Sequence, residues 1–567
     1  MQDQFYCLGI KALGLCSYNP AQPNNIYFSI GDAVAAIALV LAFSQLITPT
    51  LQFRLKVSSK AAWVAASLFL IAVLVVFVAA ILPNIPGTAL PLLGYPIFWE
   101  VLGGVFVFCS SIILLVVYSL RPAVFNGGNY KKFFKTSSST IARGNEQDLR
   151  ALADEMRNSA PAIIEAAYQY DQDLARQKKV GNEGYAVPEQ TEYALALLDL
   201  LSDERFCTLL VNAAPATALD FIQEIIKHGS RDRAGYSFVQ QVVKQSFISD
   251  NSILHREQEY YGLGHFKTFT QTVFGDYRFI DSVYRPLEAW PHWQEEFSTS
   301  KIIQKYSTVI CTAFEAYFEA KDYYQYPAAL YVGVEHLAES AQFRLPRMEN
   351  IPEEDVCNSE AFWTNHEIGE ALIKLLHLVV RHEIEIPDYE FDETTYDRFK
   401  DASVYGVLAF GIYKFLENLA KDHAHDEAVR RIAIHLWLAV DIPEEQRTKA
   451  IKEIQKRLIT HLKIKITDNL DQLRYPMITR LMISLIGLNE PQEGSTQARN
   501  FALRELHELL KSKIANAFDM DETKAQHILP SDTKFDRKQT ALVWQRKWGK
   551  SPHLFKVHLP NSGGPIK

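Results

Sequence analysis

At 567 residues the chain is too long for one ordinary core, and its Gly, Pro and 12% aromatic content are those of a mostly folded protein, which excludes broad disorder. The net charge of −8 is unevenly spread. Six cysteines without a CxxC spacing exclude a zinc-ribbon or thioredoxin-type motif.

Residues 1–25 read as a short extracytoplasmic segment. Lys11 is its one base, so it lacks the basic start of a cleavable signal. Cys7 and Cys16 fall here and would bridge in an oxidising compartment; unpaired thiols are the alternative.

Residues 26–120 hold three apolar runs, Ile26 to Ile47, Ala61 to Leu82 and Ile97 to Leu120, none with Lys or Arg. Each approaches the ~20 residues that cross a bilayer. Arg54, Lys56 and Lys60 follow the first run, and Arg121, Lys131, Lys132 and Lys135 follow the third. The loop "PNIPGTALPLLGYP" has no base. Basic flanks stay in the cytoplasm, so the expected topology is three spans of a cytoplasmic (inner or plasma) membrane, with the N-terminus outside and the rest in the cytoplasm.

Asp32 in span one lies about six residues, or ~9 Å, from the outer end, shallow enough to snorkel toward water. Gln45 lies roughly 140° around the same helix from Asp32, so one copy of the span is no conduit. Glu100 near the start of span three would share the depth of Asp32. Two readings stand: both acids sit at helix ends, or several copies bring them together as a cation-favouring ring at a pore mouth.

Residues 121–143 form a basic juxtamembrane connector with five bases and no acids. Its lysines, Lys131, Lys132 and Lys135, interleave with aromatics and suit an anionic headgroup region. Residues 144–533 carry helical spacing throughout, without a repeat period. The expected fold is all-α: an N-terminal three-helix transmembrane bundle followed by a large irregular helical cytoplasmic domain. That domain carries −21, against +2 for residues 1–125, +4 for 126–143 and +7 for 534–567. Such an acidic body argues against nucleic acid as partner. In the basic tail, 534–567, Trp544 and Trp548 would share one face of a helix lying on the membrane or docked on the acidic body.

Three soluble stretches carry candidate chemistry. "ILHREQEYYGLGHFKTF" sets His255, Arg256, Glu259, Tyr260, Tyr261 and His265 about a Gly-Leu-Gly turn, as a ligand or partner site would, or as a polar joint between helices. In "NHEIGEALIKLLHLVVRHE" only His366 and Glu370 approach metal-ligand spacing. His377 is about 10 Å too far along the helix, and further ligands would have to come from elsewhere. "KDHAHDE", 421–427, reads as charges between two helices. No P-loop, dinucleotide, nucleophile-elbow or kinase signature is present, and no cofactor is indicated.

These features suggest an integral membrane protein. Its helical domain would bind a cytoplasmic protein or small-molecule signal, and its spans would anchor or oligomerise it in the lipid bilayer; a sharper version makes it a signal-gated, membrane-permeabilising homo-oligomer. The competing class is a membrane-tethered enzyme.

Overall fold

A computed structural model describes residues 5–7, 16–18, 48–81, 96–115, 122–180, 188–228, 234–259, 267–291, 294, 298–321, 326–343, 351–352, 354–382, 403–421, 426–442, 447–472, 477–486, 501–529, 533–536, 541–548 and 551–558. Helices dominate, and the fold is all-α with short strands near the two ends of the chain. Two compact units divide it, Met1–His228 and Gly229–Lys567.

The first unit opens on an antiparallel pair, β1 (Phe5–Cys7) and β2 (Cys16–Tyr18), whose register sets Cys7 opposite Cys16. Eight helices follow among the described residues: α1 (Pro49–Val57), α2 (Ser59–Ile81), α3 (Pro96–Leu115), α4 (Tyr130–Arg143), α5 (Glu146–Val180), α6 (Glu189–Leu201), α7 (Glu204–Ala213) and α8 (Pro215–His228). Their ends are chemically marked. Thr48 caps α1, with Pro49 in its first turn. Asp203 caps α7 by accepting from the Arg205 and Phe206 amides. Gly144 ends α4 at φ +65, and a Cβ there would come within 2.5 Å of Arg205 Nη1.

A buried carboxylate ties this unit together. Glu155, on α5, is fully buried. It accepts from Arg54 Nε of α1 at 2.6 Å and from the Ala123 amide at 2.7 Å. One turn along, Ser159 accepts from the Phe125 amide and donates to the Ala123 carbonyl, both at 3.2 Å. Phe53, Phe125 and Phe133 pack edge-to-face over the same spot, at 5.3 and 5.6 Å. The chain just before α2 and the chain just after α3 are thus both fastened to α5.

Helices α2 and α3 pack along each other as a hairpin. Their buried residues are mostly small: Ala65, Ala72 and Val75 on α2, and Gly103 and Ser110 on α3. Ser110 Oγ donates to the Ala65 carbonyl at 2.9 Å, so the buried hydroxyl is satisfied. The large apolar side chains point the other way. Trp63, Leu70, Leu74, Phe77, Val105 and Phe108 are all at least half exposed, Trp63 by 73%. A water-soluble hairpin buries such residues and exposes small and polar ones.

Some expectations need adjustment. Span one and Asp32 lie outside the described residues. Among those described, no single helix is long and apolar enough to cross a membrane, and the shorter apolar stretches run Trp63–Val75 and Val101–Ser110. One bent pair, α7 with α8, passes by length and composition. However, its Phe206, Leu210, Phe221, Ile222 and Ile225 are buried, as in the core of a helical domain. Glu100 lies in the second turn of α3. The connector is in large part a regular helix, α4. Its Phe133 belongs to the core, and Tyr130 and Phe134 pack on Tyr193, while Lys131, Lys132 and Lys135 stay exposed. The aromatic residues expected at a headgroup layer therefore serve the domain instead.

The second unit continues with α9 (Tyr236–Ile248), α10 (Ile253–Glu259), α11 (Thr268–Phe274), α12 (Tyr277–Ile280), α13 (Ser300–Ala320), α14 (Ala328–Glu339), α15 (Glu360–His382), α16 (Val404–Leu419), α17 (Asp426–Val440), α18 (Lys449–Gln472), α19 (Met477–Ile486), α20 (Phe501–Met520) and α21 (Glu522–Gln526). In helix α13, Tyr306 is buried against Trp290 at 4.3 Å. The buried Lys305 donates to the Phe247 and Ser249 carbonyls, placing a cation on the C-terminal end of α9.

The tail is where the sequence reading fails. It forms strands β3 (Thr533–Asp536), β4 (Ala541–Trp548) and β5 (Ser551–His558) in an antiparallel meander, so Trp544 and Trp548 lie on a strand, not a helix. Aromatic and β-branched runs on either side of Gly549-Lys550 carry the hairpin signal, and it outweighs an i,i+4 tryptophan spacing.

Glu155→Ala removes the acceptor for both Arg54 and the Ala123 amide. By the usual cost of breaking a buried charged pair, it is expected to destabilise the protein by about 3–5 kcal/mol. Glu155→Gln keeps one acceptor and is expected to cost less. Thermal denaturation of both variants checks the order, and equal midpoints for wild type and Glu155→Ala would contradict the clamp.

Candidate functional site

In the second unit, α10, the start of α11, α13 and α15 line an open cavity of about 620 Å³. Two stretches singled out in the sequence meet here. The first contributes Glu257, Gln258 and Lys267, and the second contributes His366, Glu367, Glu370 and Lys374.

Only part of the first stretch matches its expectation. His255 is half-buried and Arg256 exposed on α10, and neither lines the cavity. Glu259 is the last residue of α10, and Tyr260, Tyr261 and His265 lie outside the described residues. Glu257, in the same stretch but not among its chosen site candidates, is the structural residue. It accepts from the Phe269 amide at 2.6 Å, the Thr270 amide at 3.1 Å and the Thr270 hydroxyl at 2.7 Å. A buried carboxylate therefore caps the N-terminus of α11, which is the polar-joint alternative. Nothing in the local pattern "REQE" distinguishes Glu257 from its neighbours, because the partner amides lie 12 and 13 residues ahead.

The second stretch delivers more. His366 and Glu370 are one turn apart on α15 and both line the cavity. His435, from α17, places Nδ1 3.0 Å from Glu370 Oε1. One ligand atom from each of the three residues lies within 4.8 Å of the others. The His366 and His435 rings are 6.0 Å apart. His366 Nδ1 is buried with no hydrogen-bond partner among the described residues. His435 was invisible in the sequence, since "RIAIHLWLAV" shows one histidine on an apolar helix and nothing of what it faces. His377, on the same helix, is exposed and outside the group. Asp422, His423 and His425 lie outside the described residues.

Around this trio the cavity wall is polar. Gln304 donates to Glu367 at 2.9 Å, and Gln258 donates to the Thr308 hydroxyl at 3.2 Å. Lys267 and Lys374 bring positive charge beside Cys311, whose thiol is pushed up to about 11, chiefly by burial, with the nearby Lys374 ammonium opposing. Cys311 is thus a neutral thiol at physiological pH, unsuited to nucleophilic work. Two histidines and a glutamate beside a polar cavity can hold a divalent cation, and two lysines can hold an anion.

Comparison of the chain with protein-family profiles, with curated proteins and with solved structures finds no match. The site must therefore be read from its own chemistry.

Elsewhere in the second unit, His461 of α18 stacks on Tyr413 at 5.2 Å. Burial, with the Arg457 charge adding, lowers its pKa from 6.5 to about 4. The unfolded chain takes up this proton first, so the stabilisation is complete above pH 6.5 and is lost as pH falls toward 4. His461→Phe keeps a ring against Tyr413 and removes the titration. It is expected to flatten the fall of thermal midpoint over that window, the histidine accounting for up to about 3 kcal/mol; an unchanged slope would assign the acid sensitivity to other groups.

Proposed function

We propose that the chain is an integral membrane protein whose apolar N-terminal helices anchor a large acidic helical domain on the cytoplasmic side, and that this domain binds a partner or small-molecule signal. The observation that carries the anchor is the inverted polarity of the α2–α3 hairpin. Small residues and a satisfied hydroxyl face inward, and Trp63, Leu70 and Phe108 face outward. In lipid there is no hydrophobic drive between helices, so close contact through Ala, Gly and Ser is what holds them. The helices continue past their described apolar stretches, to 23 residues in α2 and 20 in α3. At 1.5 Å per residue these reach roughly 34 and 30 Å, a length comparable to the hydrocarbon layer, although among the described residues neither helix is both long and apolar enough to cross it.

The orientation draws on two further features. Cys7 opposes Cys16 across a β-pair. Antiparallel partners have Cα atoms about 4.5–5.5 Å apart, within the range of a disulfide, as suits an oxidising outer compartment. Lys131, Lys132 and Lys135, which follow α3, are exposed, and on the proposed topology they would face the cytoplasm. On this reading the apolar outer face of the hairpin meets lipid or another copy of the chain. Such copies are what would bring Asp32 and Glu100 together at an outer mouth.

A membrane-tethered, metal-dependent enzyme is the second reading, favoured by the His366, Glu370 and His435 group beside the cavity.

The test is extraction and protease access. The chain is expected to stay in the membrane pellet through alkaline carbonate and to leave it only with detergent. In inverted vesicles protease is expected to cut the helical domain, and in right-side-out vesicles to spare it. Release by carbonate would overturn the anchor, and cleavage in right-side-out vesicles would overturn the orientation.

A further inference from the structure

We propose that His366, Glu370 and His435 bind one zinc-class divalent cation, with an open coordination position turned toward the cavity. The three donors come from two helices. His366 and Glu370 share a face of α15 at the i,i+4 spacing, and α17 packs against α15 to bring His435 opposite them.

The donor set suits the ion. Two imidazoles and one carboxylate are borderline ligands of the kind that select zinc over calcium or magnesium, which take mainly oxygen donors. The distances suit it after a small closure. Donors around tetrahedral zinc lie about 3.4 Å apart, as follows from bonds of about 2.1 Å. The present atoms lie within 4.8 Å, and His435, 55% exposed at its side chain, has room to turn inward.

Two observations separate this arrangement from a plain surface ion pair. A pair needs only Glu370 and His435, yet His366 is brought to the same point. Its Nδ1 is also buried without a hydrogen-bond partner among the described residues, a costly state for a polar atom that has no further use.

Three protein ligands leave a fourth position for water or an incoming group. Because His366 and Glu370 line the cavity and His435 does not, that position faces the space lined by Lys267 and Lys374. A ligand completing the sphere from there would be a small anion such as a carboxylate or phosphate, its charge met by the metal and the two ammonium groups. The metal site is independent of the anchoring hairpin, so its failure would leave the membrane reading intact.

The experiment is calorimetric titration of zinc ion alone into full-length protein in detergent micelles, after treatment with a chelator. One ion per chain is expected. His435→Ala should weaken binding by more than about 100-fold, since loss of even a supporting partner in a metal site costs 10- to 100-fold. His366→Ala should do the same, but its ring packs on Trp363, so the exposed His435 variant carries the test. His377→Ala, an exposed histidine of the same helix, should change nothing. Equal helicity by circular dichroism guards against unfolding. No stoichiometric binding, binding that survives His435→Ala, or an equal loss in His377→Ala would each overturn the proposal.

Discussion

The first unit depends on one buried carboxylate with partners from both ends of a hairpin. Glu155 has no water around it, so its charge is tolerable only because Arg54 and the Ala123 amide are held against it. Those partners lie 101 and 32 residues away, on opposite sides of α2 and α3. The constraint therefore works in both directions. The carboxylate needs the hairpin ends in place, and the hairpin can leave and rejoin the domain at only one spot. Any movement of α2 against α3 that displaced Arg54 or Ala123 would strand a buried charge.

The same chain solves two packing problems with opposite rules. In the helical units the large side chains go inward: Trp290, Tyr306, Phe206 and Phe247 are buried. In the hairpin Trp63, Leu70 and Phe108 go outward and Ala65, Ala72 and Ser110 inward. The hydrophobic effect drives the first arrangement; the second is the pattern by which helices pack in lipid, and the proposed anchor rests on it. In water it would present a large contiguous apolar patch. The exposed lysines of α4 follow this region directly, and the acidic helices come after.

Much of this was legible in the sequence because it is local. Helical periodicity marks α5 to α8, α13, α15 to α18 and α20, and the unbroken apolar runs mark α2 and α3. What escaped was non-local or needed a choice between periods. His435 is one histidine among apolar residues until α17 is laid on α15. Glu257 becomes a cap only when α11 turns back to meet it. Glu155 is one of two acids in "LADEMRN", and nothing nearby says that it is the buried one. The tail was misread because tryptophans four apart share a face on a strand as well as on a helix. The aromatic and β-branched residues flanking Gly549 in the sequence were the deciding signal.

The central claim is that the outer face of the α2–α3 hairpin meets hydrocarbon. The most direct measurement is collision of a nitroxide label with oxygen and with a water-soluble relaxing agent, on chains reconstituted in vesicles. Labels would replace Leu70 on α2, Phe108 on α3 and, for comparison, Leu438 on α17, all exposed. Labels at Leu70 and Phe108 should collide chiefly with oxygen, which concentrates in lipid, and the label at Leu438 chiefly with the water-soluble agent. If all three meet the water-soluble agent equally, the hairpin is not in the membrane and the account fails.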